Sequence, residues 1–456
     1  MAQELKHTPP PQPSPRGRGG NREKQSTNIG VIGGGYAGMA AAVELSAQGI
    51  PVTVFESARQ LGGRARGVLH NGTQIDNGQH LLLGCYRETL RLIELVGGNI
   101  GQDFLRLPLQ LDLHGQFSLK APHLPAPLHL LIALLKAQGL SWGERMKAAS
   151  FMLALRRMDF RLSNDMNVAE LLAAYGQDAD LACKLWEPLC IAALNTPMHK
   201  ASAQVLLNVL RDALNRTRAD SDMLLPRIDF TALFPQRAAA YIERQGGEVH
   251  VACGVEAIVP QPDGIELVTA QGNQSFSHVI CAASPVVAKQ LLQPVTALEK
   301  TVAQIGNLQH QPIYTVYLQY PDHVTLPHAM IGLHRRFSQW LFDKGRISSQ
   351  HGLLAAVISA EGIHQELSQE ELAQKVIAEL RDDFGIAGVP EWFRVIAEKR
   401  ATFCCSPSLL RPPQQTALPR LLLAGDYTAG DYPATLEGAV LSGLRCAELV
   451  QEASLT

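Results

Sequence analysis

Residues 28–66 (NIGVIGGGYAGMAAAVELSAQGIPVTVFESARQLGGRAR) constrain this chain more than any other stretch. Ile29, Val31 and Ile32 form a short apolar run, the pattern of a strand buried on both faces of a parallel sheet. Gly33, Gly35 and Gly38 follow in the spacing G-x-G-x-x-G. The first glycine permits a tight turn, the second lets backbone approach a diphosphate, and the third lets a helix lie close to the strand. The helix predicted from Tyr36 to Gln48 opens with Tyr36 and Ala37. Its unpaired N–H groups and partial positive charge attract a diphosphate. Gly49 ends that helix, and Pro51 to Phe55 reads as the next strand. Glu56 closes the strand, at about the 20-residue distance at which an acid meets a ribose. Its carboxylate accepts hydrogen bonds from both ribose hydroxyls and repels a 2′-phosphate. Glycines can serve packing alone, but the acid on the second strand supplies the context of a dinucleotide site.

At 456 residues the chain exceeds one small core, and two or three domains are expected. Charged residues make up only 18% and the net charge is −2, so no basic field argues for nucleic acid. Eight cysteines are scattered without metal-type spacing, and no metal site is expected. Cys404 and Cys405 are adjacent, which suits neither zinc nor an ordinary disulfide, so a reducing compartment, the cytoplasm, is expected. Residues 1–27 contain PPPQPSPRGRGG and no apolar core of a signal peptide, and read as a disordered basic tail.

Past Glu56, the pair Gly62-Gly63 followed by Arg64 brings a second stretch of bare backbone and a cation that can pair with phosphate. The segment Asp76-Asn-Gly-Gln-His80 is a polar turn before an apolar run. His80 is a candidate proton donor with Asp76, or a side chain that caps the turn. Tyr86 to Val96 has helical spacing, and Phe104 to Leu119 alternates like a hairpin or two short strands. Leu128 to Leu135 is the most apolar run in the chain, and Trp142 to Arg157 is amphipathic and basic. The run is shorter than the about 20 residues that span a bilayer. It is a core helix or pocket lining, or else a patch lying in a membrane interface. Val168 to Asn195 and Ala201 to Leu214 read as helices, Phe230 to Gly246 as another, and Glu248 to Ile258 as one strand. Val255, in that strand, suits the adenine side of a nucleotide fold. Near the end, Leu421 to Ala424 is a buried strand running into Gly425-Asp426, and Glu437-Gly438-Ala439 opens the last helix.

The fold expected is α/β (α+β overall): a Rossmann-like domain in three parts, 28–85, 226–290 and 419–456. Residues 86–225 form a helical substrate-facing region, with 124–157 as its candidate membrane contact, and 291–418 a mixed-sheet substrate domain.

The fingerprint, the Leu61-Gly-Gly-Arg64 turn and the Gly425-Asp426 segment together resemble the FAD-dependent amine oxidase and phytoene desaturase superfamily, over essentially residue 28 to the C-terminus. Asp76-Asn-Gly-Gln-His80-Leu-Leu-Leu-Gly84, Leu225-Pro-Arg-Ile-Asp-Phe230 and Tyr432-Pro-Ala-Thr-Leu-Glu-Gly-Ala439 look most like the bacterial hydroxysqualene dehydroxylases, also called squalene-associated FAD-dependent desaturases. That resemblance implies non-covalent FAD, an apolar C30 isoprenoid alcohol as substrate, and a reductant for the flavin, either a nicotinamide cofactor or a redox protein. It implies reductive loss of the hydroxyl to give squalene for hopanoid synthesis. It assigns the diphosphate to Gly33, Gly35, Tyr36, Ala37, Gly38 and Arg64, with Gly62 and Gly63 beside it. The ribose falls to Glu56, the adenine side to Val255, and the ribityl and ring region to Gly425, Asp426, Glu437, Gly438 and Ala439. A substrate this insoluble suits a protein peripheral to the inner face of the cytoplasmic membrane. Rival readings of the same fold are a carotenoid desaturase, an amine oxidase and a flavin-free prenyl-lipid carrier.

Overall fold

The computed structural model describes residues 27–454, so the tail reading lies outside the described residues, Thr27 apart. One parallel sheet gathers strands from three distant parts of the chain. Its order is Glu248–His250, Val52–Phe55, Ile29–Ile32, His278–Cys281 and Leu421–Leu423. The central strand Ile29–Ile32 is buried throughout, as its unbroken apolar run requires. The fingerprint helix, Tyr36–Ala47, buries ten residues including Met39, Val43 and Leu45. Its Ala-rich surface lets other helices come close. The C-terminal helix, Leu436–Ser454, crosses it at Gly443, where an added Cβ would lie 2.1 Å from the Ala37 carbonyl oxygen.

A three-stranded antiparallel meander, Val255–Gln261, Gly264–Thr269 and Gly272–Phe276, follows the edge strand of the parallel sheet. The second large layer is a seven-stranded mixed sheet. Its order is Trp392–Phe403, His310–Gln319, Leu353–Ser359, Trp340–Asp343, Met330–Gly332, Gln110–Leu113 and Phe117–Lys120. The helix Gln369–Phe384 covers one face, burying Leu372, Val376 and Leu380 against Val316, Leu318 and Leu354. Its start carries the capping box that Ser368 and Glu371 announce. On the other face of the same strand, Thr315 and Tyr317 are buried toward the first domain.

Several expectations are corrected. Phe104 to Leu119 makes three strands, and the first, Phe104–Leu107, pairs with Met223–Pro226 instead of closing a hairpin. Val168 to Asn195 is not one helix: Gly176 turns with φ +64°, and after Asp178 a π-turn, Ala182–Trp186, leads into Glu187–Leu194. Phe230 to Gly246 breaks at Phe234, because Pro235 has no N–H to continue the ladder and restarts a helix that runs to Arg244. Glu248 to Ile258 divides between two sheets, with Ala252 at φ +52° at the break.

The paired helices Leu128–Lys136 and Trp142–Arg157 are neither fully buried nor an ordinary surface pair; both keep apolar side chains on the outside. Among the described residues no helix is long and apolar enough to cross a membrane.

The crossing at Gly443 gives a direct test of what holds the nucleotide domain together. Gly443→Val forces the C-terminal helix off the fingerprint helix and should cost about 3 kcal/mol, the upper end of the range for overpacking a tight core. Thermal melting of the purified variant checks it; an unchanged midpoint would contradict the close helix contact.

Candidate active site

The site is built where three backbone turns converge. Gly33 takes φ +108°, and an added Cβ on Gly38 would lie 2.0 Å from the Gly33 carbonyl oxygen. Only glycine lets the helix sit this close to the strand. Gly35 is the N-cap residue of the fingerprint helix, and no side chain caps it. Its first residues, Tyr36, Ala37 and Gly38, are buried. A buried helix start without a side-chain acceptor needs an outside partner for its N–H groups. The second glycine turn lies opposite: Gly35 bridges to Gly62, and a Cβ on Gly63 would be 3.4 Å from the Gly35 Cα. The two turns therefore form a strip of bare backbone with donors at one end, which fits a dinucleotide diphosphate.

Glu56 is buried at the end of its strand. One oxygen accepts from the Gly34 amide at 2.7 Å; the other accepts from the Ala58 amide at 2.8 Å and from Ser57 Oγ at 3.3 Å. A carboxylate offers about four acceptor directions, so these bonds fix it and leave capacity for a ribose hydroxyl. Cys253 donates its amide to the Glu56 carbonyl oxygen at 2.9 Å, which ties the chain just before the half-buried Val255, the first residue of the three-stranded meander, to the end of the Glu56 strand.

Arg64 has two partners within the protein. Its guanidinium donates to Asp426 Oδ1 at 2.5 Å and to the Ala401 carbonyl at 2.7 Å, so it ties the second glycine turn to the C-terminal strand. Asn77, which the motif reading passed over, secures the same turn: it donates to the Arg64 carbonyl at 2.7 Å and accepts the Arg66 amide at 3.0 Å. Gly425 donates its amide to Ser442 Oγ at 3.0 Å. Asp426, Thr428, Tyr432, Gly438 and Ser442, with Arg411, line a cleft of about 240 Å³.

Glu437 belongs elsewhere. Its oxygens accept from the Glu88 amide at 3.1 Å, the Thr89 amide at 2.9 Å and Thr89 Oγ1 at 2.6 Å, so it caps the helix Arg87–Leu95. Burial pushes its carboxyl above the ordinary range, with the Thr89 bonds pulling back. The Gly438 amide is taken by Thr435 Oγ1 at 3.1 Å and the Ala439 amide by the Thr435 carbonyl at 3.0 Å. Thr435 is thus the cap of the last helix.

The two candidate proton donors meet at Phe230. Asp76 Oδ1 accepts the Phe230 amide at 2.9 Å, and the His80 ring stands edge-on to the Phe230 ring at 5.0 Å. Tyr36 donates its hydroxyl to the Phe230 carbonyl at 3.0 Å. The Nδ1 of His80 lies 2.7 Å from the Gly78 carbonyl oxygen, so this nitrogen carries the hydrogen and Nε2 is left as an acceptor. Burial also lowers the His80 pKa, the Gly78 bond opposing and Arg64 adding to the effect, which favours the neutral ring. Asp76 moves the other way: burial raises it to about 7, against Lys344 and the Phe230 amide. Lys344, buried, is lowered by burial and partly restored by Asp76. Its Nζ donates to Gln79 Oε1 at 3.4 Å, and the Gln79 amide reaches Thr315 Oγ1 at 3.4 Å. No motif points to Thr315, in the strand His310–Gln319, or to Lys344, which opens the short helix Lys344–Ser348 after the strand Trp340–Asp343. Among the described residues no cluster suits a metal ion.

The family model described as flavin containing amine oxidoreductase matches residues 36–451, so the chain belongs to that family and is a flavin-dependent oxidoreductase. A hydroxysqualene dehydroxylase from Sinorhizobium fredii is 28% identical over 92% of this chain and 98% of its own length. A zeta-carotene desaturase from Arabidopsis thaliana is 24% identical over 97% of this chain and 88% of its own. The structure of cyclohexylamine oxidase from Brevibacterium oxydans superposes with a TM-score of 0.70 at 19% identity, covering 94% of this chain and all of that one, which shows a common fold.

Two variants separate the roles assigned here. Glu437→Ala uncaps a helix and should lower stability by about 1–2 kcal/mol, as cap losses do, while the bound flavin per chain, read from absorbance, stays unchanged. Asp76→Asn probes the raised carboxyl. Because the folded pKa lies above the unfolded one, Asp76 stabilises the fold fully below about pH 4, and that contribution is lost as pH rises through about 7. The margin in melting temperature of the native protein over Asp76→Asn should therefore shrink from pH 5 to pH 7 and level off above. A margin that grows over that range would reverse the assignment.

Proposed function

We propose that this protein binds FAD non-covalently and reductively removes the hydroxyl of hydroxysqualene to give squalene. The observation that carries this reading is end-to-end similarity to hydroxysqualene dehydroxylases, including the Sinorhizobium fredii protein over 92% of this chain, on top of an intact dinucleotide cradle. The cradle speaks against a flavin-free lipid carrier, which has no need of facing glycines and an uncapped helix start.

The residues that would hold FAD are Gly33, Gly35, Tyr36, Ala37 and Gly38 at the diphosphate, Glu56 at the ribose, and Val255 at the adenine side. Gly62, Gly63 and the Arg64–Asp426 pair support the chain between them, with Gly425 beside Asp426. The chemistry supplied by bound reduced FAD is hydride delivery. Replacing a hydroxyl by hydride also consumes one proton, so that the oxygen leaves as water. Asp76 keeps a proton near neutral pH, because burial opposes its charge. Burial favours the neutral His80 ring; with Nδ1–H held by Gly78, its Nε2 accepts a hydrogen bond and can orient a hydroxyl. Thr315 and Tyr317, buried on the side of their strand that faces the loop after Asp76, each offer one hydroxyl, which suits a long hydrocarbon that must be positioned and kept dry.

A second reading, desaturation of a polyene, has one observation in its favour, the 24% identity to zeta-carotene desaturase over 97% of this chain. The two differ in direction: one consumes reduced flavin, the other oxidised flavin. FAD-loaded protein given a reductant and hydroxysqualene should form squalene, and with oxidised flavin should leave phytoene and ζ-carotene unchanged, by chromatography of extracted lipids. Loss of a correctly placed proton donor costs about 10²- to 10⁴-fold in rate, so Asp76→Asn should lower kcat within that range with FAD still bound. Full turnover in Asp76→Asn would remove Asp76 from the proton-donor role, and no squalene at all would overturn the reaction.

A further inference from the structure

The helix pair Leu128–Lys136 and Trp142–Arg157 is built the wrong way round for a helix that only faces water. The first helix buries His129 and leaves Leu128 48% and Leu131 43% exposed. His129 is poorly provided for inside: its Nδ1 has no partner among the described residues, and its Nε2 meets only Ser221 Oγ at 3.4 Å. The second helix has two apolar sides. Ala148, Phe151 and Leu155 are in the core, while Trp142 is 65% exposed, Met146 44% and Leu153 49%. The spacing of Trp142, Met146, Leu153 and Arg157 runs along one face of the helix. A core needs only one of these sides, so the outer one is unexplained by folding.

Charge completes the pattern. From Lys120 to Arg161 there are seven Lys and Arg against two Asp and Glu, a local excess of five positive charges in a chain whose net charge is −2. Arg145 is held by the Leu135 and Leu140 carbonyls and Lys147 by Asp178, which leaves Lys136, Arg156 and Arg157 to face an outside anion. We propose that the outer face of this helix pair docks on a lipid bilayer that carries anionic headgroups. Leu128, Leu131 and Trp142 enter the interface, and Lys136, Arg156 and Arg157 stay at headgroup level. Tryptophan suits such a boundary, where one part of the ring is apolar and its N–H is wet.

The position in the fold gives the docking a use. Gln138, between the two helices, exchanges backbone hydrogen bonds of 3.2 and 2.8 Å with Ser118 on the edge strand Phe117–Lys120 of the seven-stranded sheet. The docked face is therefore one connection away from the sheet that walls the proposed substrate site. An apolar isoprenoid taken up at this face would enter at the far edge of that sheet from the strand His310–Gln319 that faces the site. This use rests on the proposed reaction, whereas the docking itself can be read without any turnover.

The test is flotation of the full flavin-loaded chain with vesicles of phosphatidylcholine, with and without phosphatidylglycerol. The protein should float with the anionic vesicles, less so as salt rises, because surface charges are screened. The triple variant Leu128→Ser/Leu131→Ser/Trp142→Ala should lose about tenfold or more in vesicle partition, since each removes apolar area from the interface. Arg156→Glu/Arg157→Glu should lose the preference for anionic lipid. Unchanged melting and flavin content would keep both variants comparable with the native chain. Equal flotation of the native chain and both variants, or none by the native chain, would overturn the proposal. Concentration-dependent dimerisation of the native chain that the triple variant abolishes would give the face to a second copy and overturn it too. If flotation holds while detergent-dispersed hydroxysqualene gives no squalene, the reaction reading fails and the docking surface stands.

Discussion

The close approach of Gly38 to Gly33 is the contact on which the rest of the molecule depends. With no side chain between them, the fingerprint helix lies directly on the central strand, where an added Cβ would be 2.0 Å from the Gly33 oxygen. That placement aims an uncapped helix start at the second glycine turn, and Gly35 and Gly63 then face each other across bare backbone. The turn is held in turn by Asn77 and by the Arg64–Asp426 pair, which joins residues 362 positions apart at 2.5 Å. The pair is partly open on the Arg64 side, so its Coulomb energy is moderated by solvent. Its main effect is geometric: it fixes three chain segments against one another around one elongated space.

Against that frame of backbone donors, the buried titratable groups carry opposite burdens. Taking a carboxylate and an ammonium out of water costs more than a single long hydrogen bond returns. Burial therefore drives Asp76 up to about 7 and Lys344 down, each toward its neutral form. A network made only for stability would satisfy both groups fully, as Glu437 is satisfied by three donors at the start of a helix. Asp76 and Lys344 are left less well paired, and such groups cluster where chemistry needs a proton to be movable. His80 is tuned in the complementary sense, neutral with a free acceptor nitrogen, so that the pair Asp76 and His80 differ in role although they share Phe230.

Much of this was legible in the sequence where local rules act. The apolar run Ile29–Ile32, the glycine spacing, Glu56 and the capping box at Ser368 all translate directly, because each depends on neighbours within a few residues. What escaped depends on partners hundreds of positions away. Glu437 reads as part of a helix start that could face a cofactor, and only the tertiary position of Thr89 reveals it as a cap for another helix. Arg64 reads as a phosphate partner, and only the fold shows that it also ties its turn to Asp426 and Ala401. Lys344 carries no motif at all; its burial beside Asp76 comes from two sheets meeting. The run Glu248 to Ile258 alternates like a single strand, yet the chain leaves one sheet and enters another at Ala252, a step that hydrophobic pattern does not encode. The break at Phe234 was open to reading, since Pro235 announces it.

The strand His310–Gln319 shows how the two halves of the molecule serve one site. Val316 and Leu318 turn to the helix Gln369–Phe384 and make an all-apolar layer, which anchors the strand. Thr315 and Tyr317, the alternate residues, turn to the nucleotide domain, where Thr315 meets the Gln79 amide at 3.4 Å. Strand periodicity alone thus delivers one rigid, well-packed face and one face with sparse polar groups aimed at the loop that follows Asp76. Because that loop is fixed on the opposite side by Asn77 and the glycine turn, the space between them is set by two rigid supports, and neither side chain needs to move to define it. A site made this way would order the long apolar alcohol proposed as its substrate mainly by shape, leaving the few polar groups to act on the one polar atom that molecule carries.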